Sequence, residues 1–260
     1  MSAARIDLGF EYPTYTVCID RETQAEKLDC CGIDPATFGD HVDVTHLAME
    51  TILAGRRGGA SINGSVHVSQ VFDLRDPIRL GEELELSGAV TGAEPAARGK
   101  MVTCSFQLKR PDGSVPLVLE RSSLQADPDR MDGTPRARSK PQELPALTLL
   151  STHQLEPEKV ARYSNEAENL IHSEPEVARQ FGFKAPIAGG LMAVRYMLAE
   201  LHSKGVVNEL RMSVRFRRPM FWDDELKLNE TAGSPRQFVM LRSSDGKMVN
   251  DATIDHVGYQ

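Results

Sequence analysis

Phe72–Leu86 reads FDLRDPIRLGEELEL, and Val214–Leu228 reads VRFRRPMFWDDELKL. Laid over one another, Pro77 meets Pro219, an offset of 219 − 77 = 142, and the acidic pair before Leu84 meets the one before Leu226. Each copy alternates apolar and polar residues up to its proline, then turns through acidic residues into a second strand. Proline has no N–H to give to a ladder, so each should mark a strand end or a bulge. A pattern that recurs at a fixed offset signals one structural unit used twice.

The neighbouring sequence repeats as well. Asp112-Gly113 stands between MVTCSFQLKRP and SVPLVLERSSL, and Asp245-Gly246 between QFVMLRSS and KMVNDATIDHV. Asp-Gly between alternating runs is a strong hairpin signal. Upstream of the strands each half has one helix candidate, Val42–Leu53 and Gly190–His202. In the second, Leu191, Val194, Leu198 and Leu201 share a helical face, and Met192, Ala193, Tyr196 and Met197 make most other sides apolar, so burial is expected all round. One buried helix followed by an antiparallel meander, used twice, predicts an α+β chain in which a sheet wraps a helix in each half. Between them, residues 126–150 hold four prolines and no regular apolar pattern until their end, and read as a linker. The expected units are 1–125 and 151–260.

Composition limits the function. The 37 acidic and 30 basic residues give a formal net charge of −7, which argues against a general nucleic-acid binder. No apolar run approaches the roughly 20 residues of a membrane span, and Met1–Asp7 lacks a signal-peptide core. Cys18, Cys30, Cys31 and Cys104 form no CxxC, which points to a reducing, cytoplasmic setting. Histidines are scattered, with no metal-ligand spacing.

Chemistry concentrates in Tyr163–Met192, YSNEAENLIHSEPEVARQFGFKAPIAGGLM. Glu166, Glu168, Asn169, His172 and Glu174 crowd together, and Ser173-Glu174-Pro175 opens a short helix, Pro175–Gln180. Gly189-Gly190 then leads into the long helix, whose first N–H groups are unpaired and favour a developing negative charge. A histidine, carboxylates and such a helix start suit acid–base work on a carbonyl compound. The plainer alternative is a structural histidine and a glycine cap.

The same segment resembles the signature of the MaoC-like (R)-specific enoyl-CoA hydratases, the hydratase 2 family. The residues that carry the resemblance are Tyr163, Asn169-Leu170-Ile171-His172, Glu174, Ala178, Gly182-Phe183, Ala185-Pro186-Ile187-Ala188 and Gly190-Leu191-Met192, followed by Phe216, Pro219 and Asp224-Glu225-Leu226. The resemblance implies a double hot-dog fold, with the second half carrying the site and the first degenerate. It implies hydration of trans-2-enoyl thioesters or dehydration of (R)-3-hydroxyacyl thioesters, in fatty acid metabolism. Coenzyme A or acyl carrier protein belongs to the substrate, and no separate cofactor is expected. His172 becomes the acid–base, Asn169 the residue that fixes its orientation or the water, and the Gly190 N–H the oxyanion donor, with Gly189, Pro186 and Ile187 against the substrate.

The chain departs from the signature where the family has its catalytic Asp, five residues before His172; here that position is Ala167. Leu170 stands for the family's proline and Gly189 for its histidine. Either Glu166 or Glu168 supplies the carboxylate from a shifted loop, or the chain is a non-catalytic acyl-thioester-binding protein or partner subunit. A thioesterase is a third reading, because fold does not fix function. In the first half, Asp40 reads as a helix cap, His46 as a buried helix residue and His67 as a strand residue. Arg215 and Arg217 fall on one strand face and are candidates for a carrier phosphate; Gly55–Gly59 reads as a solvated loop. The sheet edges make a homodimer plausible, and the degenerate half leaves room for medium-chain or bulky acyl groups.

Overall fold

The computed structural model describes residues 6–59, 65–126 and 145–260. Ten antiparallel strands form one sheet. The first half supplies β1 (Tyr15–Cys18), β2 (Ser65–Leu74), β3 (Glu83–Ala96), β4 (Gly99–Lys109) and β5 (Leu117–Ala126). The second supplies β6 (Leu147–Gln154), β7 (Val207–Phe216), β8 (Glu225–Thr231), β9 (Arg236–Arg242) and β10 (Met248–Tyr259). Their order, β1-β3-β4-β5-β2-β7-β10-β9-β8-β6, reads the same from either edge once each strand is replaced by its counterpart. The mirror lies at the β2–β7 pair. There Val71 faces Ser213, and these are equivalents under the 142-residue offset. The double hot dog expected from the sequence is therefore the observed fold.

The local signals act as predicted. Pro77 and Pro219 lie just beyond the ends of β2 and β7. Gly113 and Gly246 take positive φ, 89° and 64°, at the two Asp-Gly hairpins. Of the stretch read as a linker, residues 127–144 lie outside the described residues, and Leu147–Leu150 already belong to β6, which pairs with β8.

Among the described residues five α-helices accompany the sheet: α1 (Arg21–Cys30), α2 (Thr45–Arg57), α3 (Pro157–Ser164), α4 (Pro175–Gln180) and α5 (Gly190–His202). Helix α5 has its predicted bounds and is almost wholly buried. Helix α2 starts three residues later than its apolar pattern indicates, and only one side of it is buried. Its expected first turn is taken by tertiary pairing: His41 bridges to Arg79, and the Val42 N–H donates to Ile78 O at 2.8 Å. Asp40 is not the cap; it is exposed and pairs with Arg21. The Asp43 carboxylate does that work, accepting from the Thr45 N–H at 3.0 Å and the Thr45 hydroxyl at 2.8 Å.

Asp43 also joins the halves. Arg195, in the middle of α5, donates through Nε to Asp43 Oδ2 and reaches Thr45 Oγ1 at 2.6 Å through Nη2. Both charged side chains are sealed from solvent. Burial works to raise the Asp43 carboxyl, but Arg195 and the Thr45 hydrogen bonds outweigh it and hold it below the usual carboxylate range. Removing one partner of such a pair strands the other charge in a dry interior. Asp43→Asn should lower the unfolding free energy by about 3–5 kcal/mol, measured by urea denaturation. Arg195→Met added to it should recover part of the loss. A urea midpoint unchanged in Asp43→Asn would contradict this account.

Candidate active site

The chain after β6 is bent repeatedly, and each bend places a polar group. Helix α3 ends at Ser164, a 3-10 turn covers Asn165–Ala167, and Glu168 takes the left-handed conformation with φ 48°. Asn169 is extended and leads into a second 3-10 turn, Leu170–His172. After α4, Gly182 (φ 79°) reverses the chain. Residues 186–188 then lie along 220–222: the Trp222 N–H donates to Pro186 O at 3.0 Å and the Ala188 N–H to Met220 O at 2.8 Å. This pairing sets Gly189 and Gly190 at the start of α5, where no side chain caps the helix. Glycine is required at 190: a Cβ there would lie 2.8 Å from the Phe216 ring.

His172 hydrogen-bonds through Nδ1 to Ile187 O at 2.7 Å. A carbonyl only accepts, so Nδ1 carries the proton and the neutral ring keeps its lone pair on Nε2. Burial lowers the His172 pKa, and the bond to Ile187 opposes this only in part.

His172, Asn169, Ser164, Ile187, Gly189 and Gly190 line a cavity of about 240 Å³. It lies between the halves: β2, β5 and α2 of the first half close its other side with His67, Arg121, Ser123, Met49 and Ile52. The sequence thus brings His172, Asn169, Gly189, Gly190, Ile187 and Arg217 to one place. Pro186 and Arg215 are not in the wall. Arg215 and Arg217 both pair with Asp251, at 2.9 Å for Arg215 Nη2. One carboxylate thus serves two guanidinium groups, and Arg217 and Arg218 are both exposed at this end of the cavity.

The expected carboxylates need correction. Neither Glu166 nor Glu168 lines the cavity. Glu166 pairs with Lys27 Nζ at 3.1 Å, and Glu168 with Arg56 Nη2 at 2.6 Å. Both partners belong to first-half helices, and Arg56 also donates to Glu166 O at 2.9 Å. The two residues that flank Ala167 serve the contact between halves. Among the described residues of the cavity wall there is no Asp or Glu.

Other residues of the wall were not singled out from sequence. Ser164 is buried and its hydroxyl has no hydrogen-bond partner. His67 packs against Phe216 with 4.5 Å between ring centroids and the rings tilted by 46°, and burial takes its pKa down to about 3. Arg121 and Ser123 left a sequence signal: they fall in phase with the inward-facing Leu117 and Leu119.

No protein-family model matches the chain. The curated protein 3-hydroxyacyl-thioester dehydratase X of Mycobacterium tuberculosis is 31% identical over 103 residues, 39% of this chain and 34% of the relative. The match thus spans about a third of that relative's length. The crystal structure of HtdX from Mycobacterium tuberculosis superposes with a TM-score of 0.77 at 20% identity, covering 93% of this chain and 98% of the other. A MaoC-like dehydratase from Phytophthora capsici gives 0.70 at 16%, covering 97% and 96%. The chain has the double hot-dog fold of the MaoC-like dehydratases, and it resembles that family in sequence as well as in architecture.

If the flanking glutamates only tie the halves together, Glu166→Gln and Glu168→Gln should each keep the rate on an acyl thioester within about twofold of wild type. The stability loss of Glu168→Gln, in an exposed pair, should stay below about 1 kcal/mol, and that of Glu166→Gln should be larger because its partner Lys27 is buried. Steady-state kinetics and thermal melts of the two variants check this, and a large rate loss in either would restore it to the site.

Proposed function

We propose that the chain is a hydro-lyase acting on trans-2-enoyl or (R)-3-hydroxyacyl thioesters, with His172 as its acid–base. The observation that carries this is the fixed tautomer of His172, whose basic Nε2 belongs to a ring in the cavity wall beside the α5 start.

In the hydration direction, water adds through oxygen to the β-carbon while His172 Nε2 takes its proton. The C=C electrons move toward the thioester, and its oxygen becomes an enolate oxyanion. The Gly190 N–H, at an uncapped helix start, stabilises that charge. The His172 imidazolium then returns the proton to the α-carbon, and the ring is neutral again. Dehydration is the reverse. Asn169 and the unpartnered Ser164 hydroxyl supply hydrogen bonds for the water and the thioester oxygen. Met49 and Ile52 give the acyl group an apolar wall from the first half, which suits medium-chain or bulky acyl groups. Arg218 is the candidate for a phosphate of the carrier, coenzyme A or acyl carrier protein. A cytoplasmic setting belongs to the same proposal.

A second reading, an acyl-thioester-binding protein without turnover, draws on the lack of a carboxylate among the described wall residues. Loss of enoyl-thioester absorbance on adding the protein separates the two. In the hydro-lyase, His172→Ala should slow turnover by roughly 10²–10⁴-fold with the melting temperature retained. Because the neutral ring is the base and burial lowers its pKa, kcat/KM should be level near neutrality. It should fall with acid along one limb whose midpoint lies below about 6.5. A wild type with robust turnover that is unchanged in His172→Ala would place the chemistry elsewhere. No absorbance loss in the wild type, with activity gained in Ala167→Asp, would favour the binding protein.

A further inference from the structure

The first-half end of the cavity contains a charge that the chemistry above does not use. Arg121 stands on β5 between Gln70 of β2 and Cys104 of β4, and only 9% of its surface is exposed. Its Nη2 donates to Thr51 O on α2 at 3.2 Å, while its Nε is buried and has no hydrogen-bond partner. No described Asp or Glu forms an ion pair with it. Glu50, on the same helix as Thr51, is engaged by the Tyr15 hydroxyl at 3.0 Å and by Arg57 at 3.5 Å. Glu120, next in sequence, points to the opposite, exposed face of β5.

A guanidinium taken out of water without a counter-charge costs several kcal/mol, and an apolar side chain of similar size would cost less. Its surroundings make it a binding site rather than a core residue, because Arg121 lines the cavity with the Ser123 and His67 side chains beside it. Of the other arginines in this wall, Arg217 and Arg218 are both exposed, and Arg217 shares Asp251 with Arg215. Arg121 is therefore the buried cation of the cavity without a counter-charge among the described residues.

We infer that Arg121, with the Ser123 hydroxyl, forms a subsite for a carboxylate at the far end of the acyl chain. The preferred substrates are then carboxy-terminated enoyl or 3-hydroxyacyl thioesters. This rests on the acyl-thioester reading of the cavity. The thioester sits at the start of α5 in the second half, and the acyl chain runs between Met49 and Ile52 toward β5. A planar carboxylate matches the guanidinium fork and supplies the missing counter-charge. A methyl end would leave the charge unpaired, and a site built for a polar group rejects an analogue lacking it. A phosphate of the carrier is the other anion a substrate brings, but Arg218 offers it an exposed cation.

The test compares methyl-ended and carboxy-ended enoyl-CoAs at two lengths: trans-2-hexenoyl-CoA with trans-2-hexenedioyl-CoA, and trans-2-octenoyl-CoA with trans-2-octenedioyl-CoA. Wild type should show a kcat/KM at least about tenfold higher for the carboxy-ended partner at one or both lengths. Arg121→Met should erase or invert that ratio, and Arg121→Lys should keep part of it. A wild type that prefers the methyl-ended partner at both lengths overturns the inference, whether or not Arg121→Met folds. So does an Arg121→Met ratio equal to wild type, or an equal loss on both partners, which would assign Arg121 to the carrier. If no enoyl thioester is turned over, the hydro-lyase reading fails by itself. Calorimetric affinities of hexanoyl-CoA and 5-carboxypentanoyl-CoA then measure the same preference, and equal affinities overturn the subsite.

Discussion

Strand β2 pairs with strand β7 from Ser69 opposite Arg215 to Leu74 opposite Leu210, and this backbone seam is the constraint on which the rest depends. Without it each half would be a short sheet around one helix, with a long unpaired edge. With it, the antiparallel direction brings the first residues of β2 and the last of β7 to the same side. Ser65–His67 and Phe216–Met220 thus face one cavity from opposite halves. The seam also brings α2 and α5 together, so that Arg195 can reach Asp43. A cavity with His172 on one wall and apolar residues of the other half facing it is a consequence of the seam.

The parts of this arrangement that depend on local chemistry were legible in the sequence. Proline at strand ends, Asp-Gly in hairpins and the apolar sides of α5 act through neighbours in the chain, and their positions held. The mirror symmetry of the strand order reflects the 142-residue offset, because equivalent units pack in equivalent ways. Long-range pairing was not legible. The early start expected for α2 was displaced because residues 41–42 pair with 78–79, and Asp43 took the capping role given to Asp40.

The same division holds in the site. His172, Asn169 and Gly190 are positioned by one continuous segment, so their order in sequence foretold their meeting in space. Glu166 and Glu168 belong to that segment too, yet Lys27 and Arg56, more than a hundred residues earlier, draw them away from the cavity. Ion pairing across the halves overrides proximity along the chain. Arg121 shows the opposite case. Its inward phase is visible in the alternation of β5, but the lack of a counter-charge among the described residues shows only when the surrounding elements are in place.

The caps of α2 and α5 break the near-symmetry of the two halves. At the start of α2, the Asp43 carboxylate is hydrogen-bonded to the first-turn Thr45 N–H and neutralised by Arg195. At the start of α5, Gly189 offers no side chain for that role. One helix start therefore carries an anion of its own, and its counterpart has none from its cap residue. Under the acyl-thioester proposal, a repeat that could in principle offer two equal sockets would take one acyl thioester per chain, and the plug in the unused socket is the same carboxylate that locks the two halves together.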